Sequence, residues 1–204
     1  VVNRRLGLGL ARLAARVGLG PHAVTLLSAS ASALGAGLLV VATPRPAAAV
    51  AAVVLLQLGF ALDSADGQLA RRHGRASTAG EWLDHVVDAG RVLLLHAAVG
   101  VAMLRDDELA EGWLVLPVVL GWSASVRFFA QVLAEHLRRG GGADRRAPGP
   151  SWVQLPADPG VVHLVLLLSP WPEAFVLAYG AITVAHVLLL AATLSRAWCE
   201  LRSS

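Results

Sequence analysis

The chain has 204 residues, of which 56% are hydrophobic and only 15% are charged. A soluble domain usually has about 25% charged residues, so this composition argues against a single soluble core. The net charge of +3 does not indicate a nucleic-acid partner, because the distribution of the arginines carries more information than their sum. The apolar residues lie in repeated runs that approach the roughly 20 residues needed to cross a bilayer. We therefore predict an all-α polytopic integral membrane protein.

The first segment, residues 1–18, has the pattern of an amphipathic helix. Its arginines lie largely on one face, and four apolar residues share the other: Leu6, Leu10, Leu13 and Val17. Such a helix can lie on the headgroups of an anionic membrane leaflet. An ordinary arginine-rich flank of the first span is the alternative. We expect a juxtamembrane interfacial helix over residues 1–18 and a membrane domain over residues 19–204.

Six apolar segments follow and predict six transmembrane helices. Their approximate bounds are residues 21–43, 46–62, 79–104, 109–133, 158–169 and 172–194. The second segment continues beyond residue 62 as a polar helix, and the fifth is so short that it must extend or tilt. Four segments begin at a proline, where a missing N–H costs nothing. Pro117 lies inside the fourth segment and predicts a kink there.

The placement of the arginines predicts how these segments are oriented. Thirteen arginines flank one side of the predicted bilayer and two flank the other. Because positively charged residues concentrate on the cytoplasmic side, this bias places both termini in the cytoplasm. The protein is thus expected in the cell (inner) membrane, with the polar ends of the second and third spans on the cytoplasmic side.

Four aspartates stand at those polar ends. Asp63 and Asp66 are three residues apart and Asp84 and Asp88 are four apart, so each pair shares a helix face. A short basic loop joins the two spans, which are therefore predicted to be antiparallel neighbours with converging acidic faces. Four ionised carboxylates cannot lie together without cations between them. Mg²⁺ or Mn²⁺ are the natural partners, and two such ions can bind and activate a phosphate or pyrophosphate.

The residues around the aspartates suit a phosphate ligand. Gly67 has no side chain, so a ligand can approach the backbone, and Ala70 keeps the same face shallow. Arg71 can offer a planar pair of donors to a phosphate. Gly80 allows a neighbouring helix to come close.

The stretch that begins at Asp63 and ends at Asp88 reads D-x2-D-G-x2-A-R-x8-G-x3-D-x3-D. With eight fixed positions in 26 residues, it resembles the signature of the CDP-alcohol phosphotransferases, integral membrane enzymes with a six-helix core. The resemblance implies an enzyme of phospholipid synthesis that binds a CDP-linked donor, such as CDP-diacylglycerol, through two divalent ions. Such an enzyme transfers the substituted phosphate to an acceptor alcohol and releases CMP. The resemblance also implies a homodimer.

The same resemblance implies roles for individual residues. The positions that resemble metal ligands are Asp63, Asp66, Asp84 and Asp88, and Asp88 also resembles the general base. Many relatives open the first span with P-N-x-x-T, which reads PHAVT here, so that His22 replaces the asparagine. The surface expected to contact the cytidine diphosphate comprises Gly67, Ala70, Arg71, Gly80, His22 and Thr25.

Two further arginines are candidates for binding the acceptor. Arg127 lies within the fourth apolar segment, where an unpaired guanidinium is costly. It either extends to the membrane interface or faces the active-site cavity and holds an anionic acceptor such as a sugar or polyol phosphate. Arg91, one turn after Asp88, is the second candidate, with pairing to Asp88 as the alternative.

Several other polar residues have structural interpretations. Thr78 and Glu81 fit a capping box at the start of the third span, and Asp158 fits the N-cap of the fifth. The histidines within the spans are expected to be packed residues with satisfied hydrogen bonds: His96, His163 and His186.

Two other functional classes are compatible with part of the pattern. Intramembrane prenyltransferases also bind pyrophosphate through aspartates and Mg²⁺, but their two acidic motifs lie far apart in sequence. A divalent-cation transporter would explain the carboxylates but not Gly67, Ala70 and Arg71. Relatives use inositol phosphate, glycerol phosphate, serine or another phospholipid as acceptor, and Arg127 favours a phosphorylated one.

Overall fold

The structure is a computed structural model that describes residues 2–42, 45–72, 77–141 and 151–202. Most of these residues are helical and none of them lies in a strand. The α-helices in chain order are α1 (Val2–Arg16), α2 (Pro21–Val41), α3 (Pro46–Arg72), α4 (Thr78–Leu104), α5 (Val115–Gly141), α6 (Pro159–Val165) and α7 (Pro172–Arg202). Short 3-10 helices precede α5, precede α6 and follow α6, at Glu111–Leu114, Ser151–Ala157 and Leu166–Leu168.

Within the described residues, five helices are long and apolar enough to cross a membrane, namely α2, α3, α4, α5 and α7. The remaining predicted span, the fifth in chain order, is the apolar segment Pro159–Leu168, which is too short to be one of them. At 1.5 Å per residue it is about 15 Å long, roughly half the thickness of the hydrocarbon core. A 3-10 helix precedes α6 at Ser151–Ala157 and another follows it at Leu166–Leu168, and the expectation that this span extends or tilts stays a prediction. The count of six spans stays a prediction.

The outer surface of the five long helices is apolar. Leu177 on α7 is 74% exposed, and Leu34, Leu93 and Val118 on other helices are similarly exposed. A water-soluble protein rarely presents so much apolar surface, whereas a bilayer accommodates it. The chain is therefore an integral membrane protein.

Helices α2 and α3 pack against each other through small residues. The hydroxyl of Ser28 donates a hydrogen bond to the carbonyl oxygen of Gly59, at 2.6 Å. A Cβ atom on Gly35 would lie 2.9 Å from the carbonyl oxygen of Ala52 and 2.8 Å from Leu56 Cγ. Close backbone contact of this kind is a common way for helices to associate in membranes, where the hydrophobic effect does not drive their packing.

Helices α3, α4, α5, α6 and α7 surround the main core. Its centre is Tyr179 on α7, which is fully buried and packs with Phe175. The Tyr179 hydroxyl lies 2.7 Å from Nδ1 of His96 on α4. Each of these two buried polar atoms therefore has a hydrogen-bond partner. The structure thus agrees with the expectation of a packed, hydrogen-bonded His96.

Helix α1 packs against α3 mainly through small side chains. Ala11 and Ala14 are buried against α3, whereas Leu13 is 56% exposed and Val17, just beyond the helix, is 62% exposed. Small side chains let α1 approach α3 closely, and Leu10 also packs at this contact, whereas Leu13 and Val17 stay exposed. The interfacial position of residues 1–18, and their separation from the domain at 19–204, stay predictions.

Two local expectations are corrected by the helix boundaries. Pro117 lies in the first turn of α5 rather than in its interior, so its missing N–H falls among groups that have no intrahelical partner. Ser77, not Thr78, is the N-cap of α4, because its hydroxyl accepts a hydrogen bond from the backbone N–H of Gly80 at 3.1 Å. Asp158 caps α6 as expected, accepting from the N–H of Gly160 at 2.8 Å.

The close approach of α2 and α3 predicts that Gly35→Ala lowers stability. The added methyl group must displace the α3 backbone at Ala52, which should cost about 1–3 kcal/mol of unfolding free energy. The matched control is Gly37→Ala on the same helix, where a Cβ atom meets nothing within 4 Å. Thermal unfolding in detergent should show a lower midpoint for Gly35→Ala alone, and equal midpoints for both variants would contradict this packing.

Candidate active site

The acidic residues come together from the C-terminal part of α3 and the N-terminal half of α4, whose backbones, in the described residues, are bridged by α2 rather than packed directly against each other. Asp63 and Asp66 are on α3, and Asp84 and Asp88 are on α4. Spacings of three and four residues put each pair on one helix face. The start of α2 completes the region, because α2 packs against both α3 and α4.

Three of the four carboxylates meet. One oxygen each of Asp63, Asp66 and Asp84 lies within 4.8 Å of the other two. Asp66 is only 5% exposed, and its hydrogen-bond partner is a neutral hydroxyl rather than a cation. A buried carboxylate without a positive partner is costly. Oxygen ligands crowded in this way therefore fit a divalent ion such as Mg²⁺ or Mn²⁺.

Thr25 on α2 holds one of these carboxylates in position. Its hydroxyl is buried and donates a hydrogen bond to Oδ2 of Asp66, at 2.6 Å. The structure places Thr25 beside a candidate metal ligand, and its contact with the nucleotide, which the sequence suggested, stays a prediction. Contacts of this kind orient a ligand and are energetically important for metal binding.

Arg91 joins Asp88 to the cluster. Its guanidinium makes an ion pair with Asp63, and its Nη1 atom lies 3.5 Å from Oδ1 of Asp88. The pairing of Arg91 with Asp88, which the sequence left as an alternative, is therefore observed. Asp88 itself is outside the group of three carboxylates and adjoins that group through the shared guanidinium. The role of Asp88 as a fourth metal ligand stays a prediction.

The residues expected to contact a nucleotide occupy the same end of the bundle. A Cβ atom on Gly80 would lie 3.4 Å from Cε1 of His22, so the starts of α2 and α4 are close together. His22 is exposed and Gly67 is half-buried. The side chains of Ala70 and Arg71 lie outside the described residues, although both positions belong to α3.

A cavity of about 250 Å³ opens beside Asp63 and Asp88. Every helix from α2 to α7 contributes to its wall, together with Ala157 of the 3-10 helix before α6. Arg127 of α5 lines it, as do Arg91, His163 and His186. The position of Arg127 supports the alternative in which it faces the cavity rather than the membrane interface.

Some of these contacts could have been found in the sequence and others could not. Asp84, Asp88 and Arg91 recur at spacings of four and three residues, which puts Arg91 on the acidic face of α4. No local pattern predicts that Arg91 reaches Asp63 across the helix pair, or that Thr25 reaches Asp66. These contacts depend on how α2, α3 and α4 pack.

Because Thr25 orients Asp66, we expect Thr25→Val to weaken divalent-ion binding. Loss of such a contact to a metal ligand typically reduces affinity by about 10–100-fold. The control is Thr25→Ser, which keeps the hydroxyl and should stay close to wild type. Titration with Mn²⁺, followed by calorimetry or electron paramagnetic resonance, compares the two variants. Equal affinities would show that the hydroxyl has no such role.

Proteins of known structure and a protein-family model resemble this chain. Three structures of Mycobacterium tuberculosis phosphatidylinositol phosphate synthase (PgsA1) are similar in fold: in complex with manganese and citrate, in apo form and with CDP-DAG bound. Each has 21% sequence identity to this chain and a TM-score of 0.70. In the same order, the matches cover 94%, 93% and 95% of this chain. They cover 88%, 95% and 94% of the PgsA1 chains. No curated protein matches.

A family model for CDP-alcohol phosphatidyltransferase matches residues 19–197. Since this match spans most of the chain, the protein belongs to the CDP-alcohol phosphatidyltransferase family.

Proposed function

We propose that the protein transfers a phosphatidyl group from CDP-diacylglycerol to an acceptor alcohol and releases CMP, as a step of phospholipid synthesis. The observation that carries the proposal is the cluster of Asp63, Asp66 and Asp84, of which Asp63 also lines a cavity inside a membrane-embedded helix bundle. This arrangement brings a candidate site for divalent ions and a cavity lined by two arginines together within the bundle.

The aspartate cluster would hold Mg²⁺ or Mn²⁺. Manganese is present in one of the similar PgsA1 structures, and the three carboxylates of this chain are spaced to share a cation. When bound, such ions neutralise the negative charge that a diphosphate carries and gains as its bond breaks. The hydrogen bond from Thr25 keeps Asp66 turned toward this position.

The nucleotide part of the donor would lie against the start of α2 and the adjoining parts of α3 and α4. Another of the similar PgsA1 structures contains CDP-DAG. In this chain the corresponding surface would comprise His22, Gly67, Ala70, Arg71 and Gly80. Gly80 leaves room for His22 beside α4, and exposed His22 is free to approach a base or ribose. The acyl chains would remain in the lipid outside the bundle.

Asp88 is the proposed general base. It lines the cavity, and the guanidinium of Arg91 lies between it and Asp63. Its carboxylate would take the proton from the acceptor hydroxyl as the hydroxyl oxygen attacks the phosphorus that bears diacylglycerol. The bond from that phosphorus to the bridging oxygen breaks, and CMP leaves with this oxygen. Arg91 would keep the carboxylate oriented and could also contact the acceptor.

The acceptor would enter the cavity beside Asp88. Arg127 lines the cavity as a second guanidinium, and a phosphate group on the acceptor would pair with it. We therefore propose a phosphorylated alcohol as acceptor. The arginine distribution further supports a cytoplasmic position for this end of the bundle, with both termini on that side. A homodimer remains part of the proposal.

The other two functional classes receive less support. A cation transporter needs a path for ions, but it does not need a chamber lined with arginines beside the carboxylates. An intramembrane prenyltransferase would place its acidic motifs on distant parts of the chain, whereas here they occupy neighbouring helices α3 and α4. Membership of the family agrees with neither alternative.

The proposal predicts CMP release that depends on divalent ions. Purified protein would receive CDP-diacylglycerol and, in separate reactions, inositol phosphate, glycerol phosphate or serine, with the lipid product identified by mass spectrometry. We expect product with at least one phosphorylated acceptor, loss of activity with EDTA, and recovery with Mg²⁺ or Mn²⁺. Transfer of an isoprenoid from a prenyl diphosphate, or ion flux in vesicles without CMP release, would contradict the proposal.

The role of Asp88 predicts that Asp88→Asn abolishes turnover without unfolding the protein. A general base typically contributes about 10²–10⁴-fold to the rate, so kcat should fall at least about 100-fold. Binding of Mn²⁺ should change less, because the three other aspartates are retained. Asp107→Asn is the control, since Asp107 is exposed in the segment that follows α4. Thermal unfolding checks the fold, and near wild-type CMP release by Asp88→Asn would disprove the assigned role.

A further inference from the structure

The cavity beside Asp88 extends deep into the bundle. Asp88 and His96 both line it and are eight residues apart on α4, which corresponds to about 12 Å along the helix. His163 from α6 and His186 from α7 also line it. Three histidines from three helices are thus gathered around a chamber whose other end holds the proposed base.

His186 has one nitrogen with a partner and one without. The residue is 4% exposed, and its Nε2 atom lies 3.2 Å from the backbone carbonyl oxygen of Pro156. Because a carbonyl oxygen can only accept, Nε2 must carry the hydrogen. In the neutral ring, Nδ1 is then a hydrogen-bond acceptor. Nδ1 is buried and has no partner among the described residues.

His163 has a similar unsatisfied nitrogen. It is 6% exposed and packs edge-on against the ring of Phe60, and its Nδ1 atom has no hydrogen-bond partner in the described part of the chain. His96 differs, because its Nδ1 is paired with Tyr179. A buried polar atom without a partner typically costs about 1–3 kcal/mol, so two of them in one cavity call for an explanation.

We propose that His186 and His163 recognise hydroxyl groups of the acceptor, which we infer to be a phosphorylated polyol. A hydroxyl group can donate to Nδ1 of His186, while Arg127 pairs with the phosphate. The inference rests on the proposed function, because it assigns the acceptor of that same reaction. It also gives a role to the two histidines that sequence analysis interpreted as packed and satisfied.

The size and lining of the cavity agree with such an acceptor. Its volume of about 250 Å³ is just below the usual range for ligand pockets, roughly 300–1,000 Å³, so it suits a small metabolite rather than a lipid. Aliphatic and aromatic walls with a few polar groups are typical of sites that select one orientation of a ligand. A metal site is not the alternative, because in the described residues the only metal-like group is the aspartate cluster.

The test separates the two nitrogens of His186. In His186→Gln, the amide N–H can replace Nε2 and keep the bond to Pro156, but the acceptor at Nδ1 is lost. We expect an unchanged melting temperature and an unchanged KM for CDP-diacylglycerol. The KM for a phosphorylated polyol, with inositol phosphate and glycerol phosphate as the probes, should rise about tenfold, as expected for one lost hydrogen bond.

Three further variants complete the comparison. In His186→Asn, the amide oxygen can take the place of Nδ1 while the bond to Pro156 is lost, so stability should fall and the acceptor KM should change less. His136→Gln, at an exposed position on α5, controls for the type of substitution and should behave as wild type. His163→Phe, which keeps the packing against Phe60, should raise the acceptor KM with little effect on the donor.

The outcomes distinguish this inference from the function on which it rests. If the wild type releases CMP but His186→Gln and His163→Phe keep the wild-type acceptor KM, the histidines are only packed or hydrated, and the inference is wrong while the proposed function stands. A higher acceptor KM in His186→Asn but not in His186→Gln would likewise overturn it. If wild-type protein releases no CMP with any acceptor, both proposals fail.

Discussion

The burial of negative charge at the end of an apolar helix bundle is the constraint on which the rest of this structure depends. Asp66 is almost fully enclosed, and its hydrogen-bond partner is the neutral hydroxyl of Thr25. Asp63 and Asp88 share the guanidinium of Arg91. One arginine cannot balance four carboxylates, so the site carries a net negative charge that favours the binding of cations. The chemistry of a metal-dependent phosphotransferase follows from that imbalance.

The fold holds this charged region by packing small residues. Helices α2 and α3 approach closely at Gly35 and Gly59, which brings Thr25 within hydrogen-bonding distance of Asp66. Helices α4 to α7 are joined by a core around Tyr179, and the remaining space between them is the cavity that leads from Asp88 to His186. The same packing thus determines both the geometry of the carboxylates and the shape of the chamber in which the acceptor is proposed to bind.

Prediction from the sequence succeeded where the pattern was local, and where elements had to meet it foresaw the convergence of the acidic faces of α3 and α4 but no other contact between helices. The starts of α2, α3, α4 and α7 agree with the predicted segments to within a residue, because prolines and a capping residue mark the places where a helix can begin. The sequence did not indicate which residues of α1 pack against α3, where the close contact involves Ala11 and Ala14 rather than Leu13. His186 was interpreted as satisfied, because a sequence does not show which ring nitrogens find partners.

The sequence by itself determined the class of the protein and the acidic motif. Long apolar runs require a membrane, and aspartates at helical spacing require a shared face, since both properties depend only on residues close together in the chain. Only the tertiary structure decided that three carboxylates meet while Asp88 adjoins them through Arg91, and that Arg127 and two histidines line one cavity. These relations join residues on different helices, and their distances are set by the packing of backbones, which no local pattern encodes.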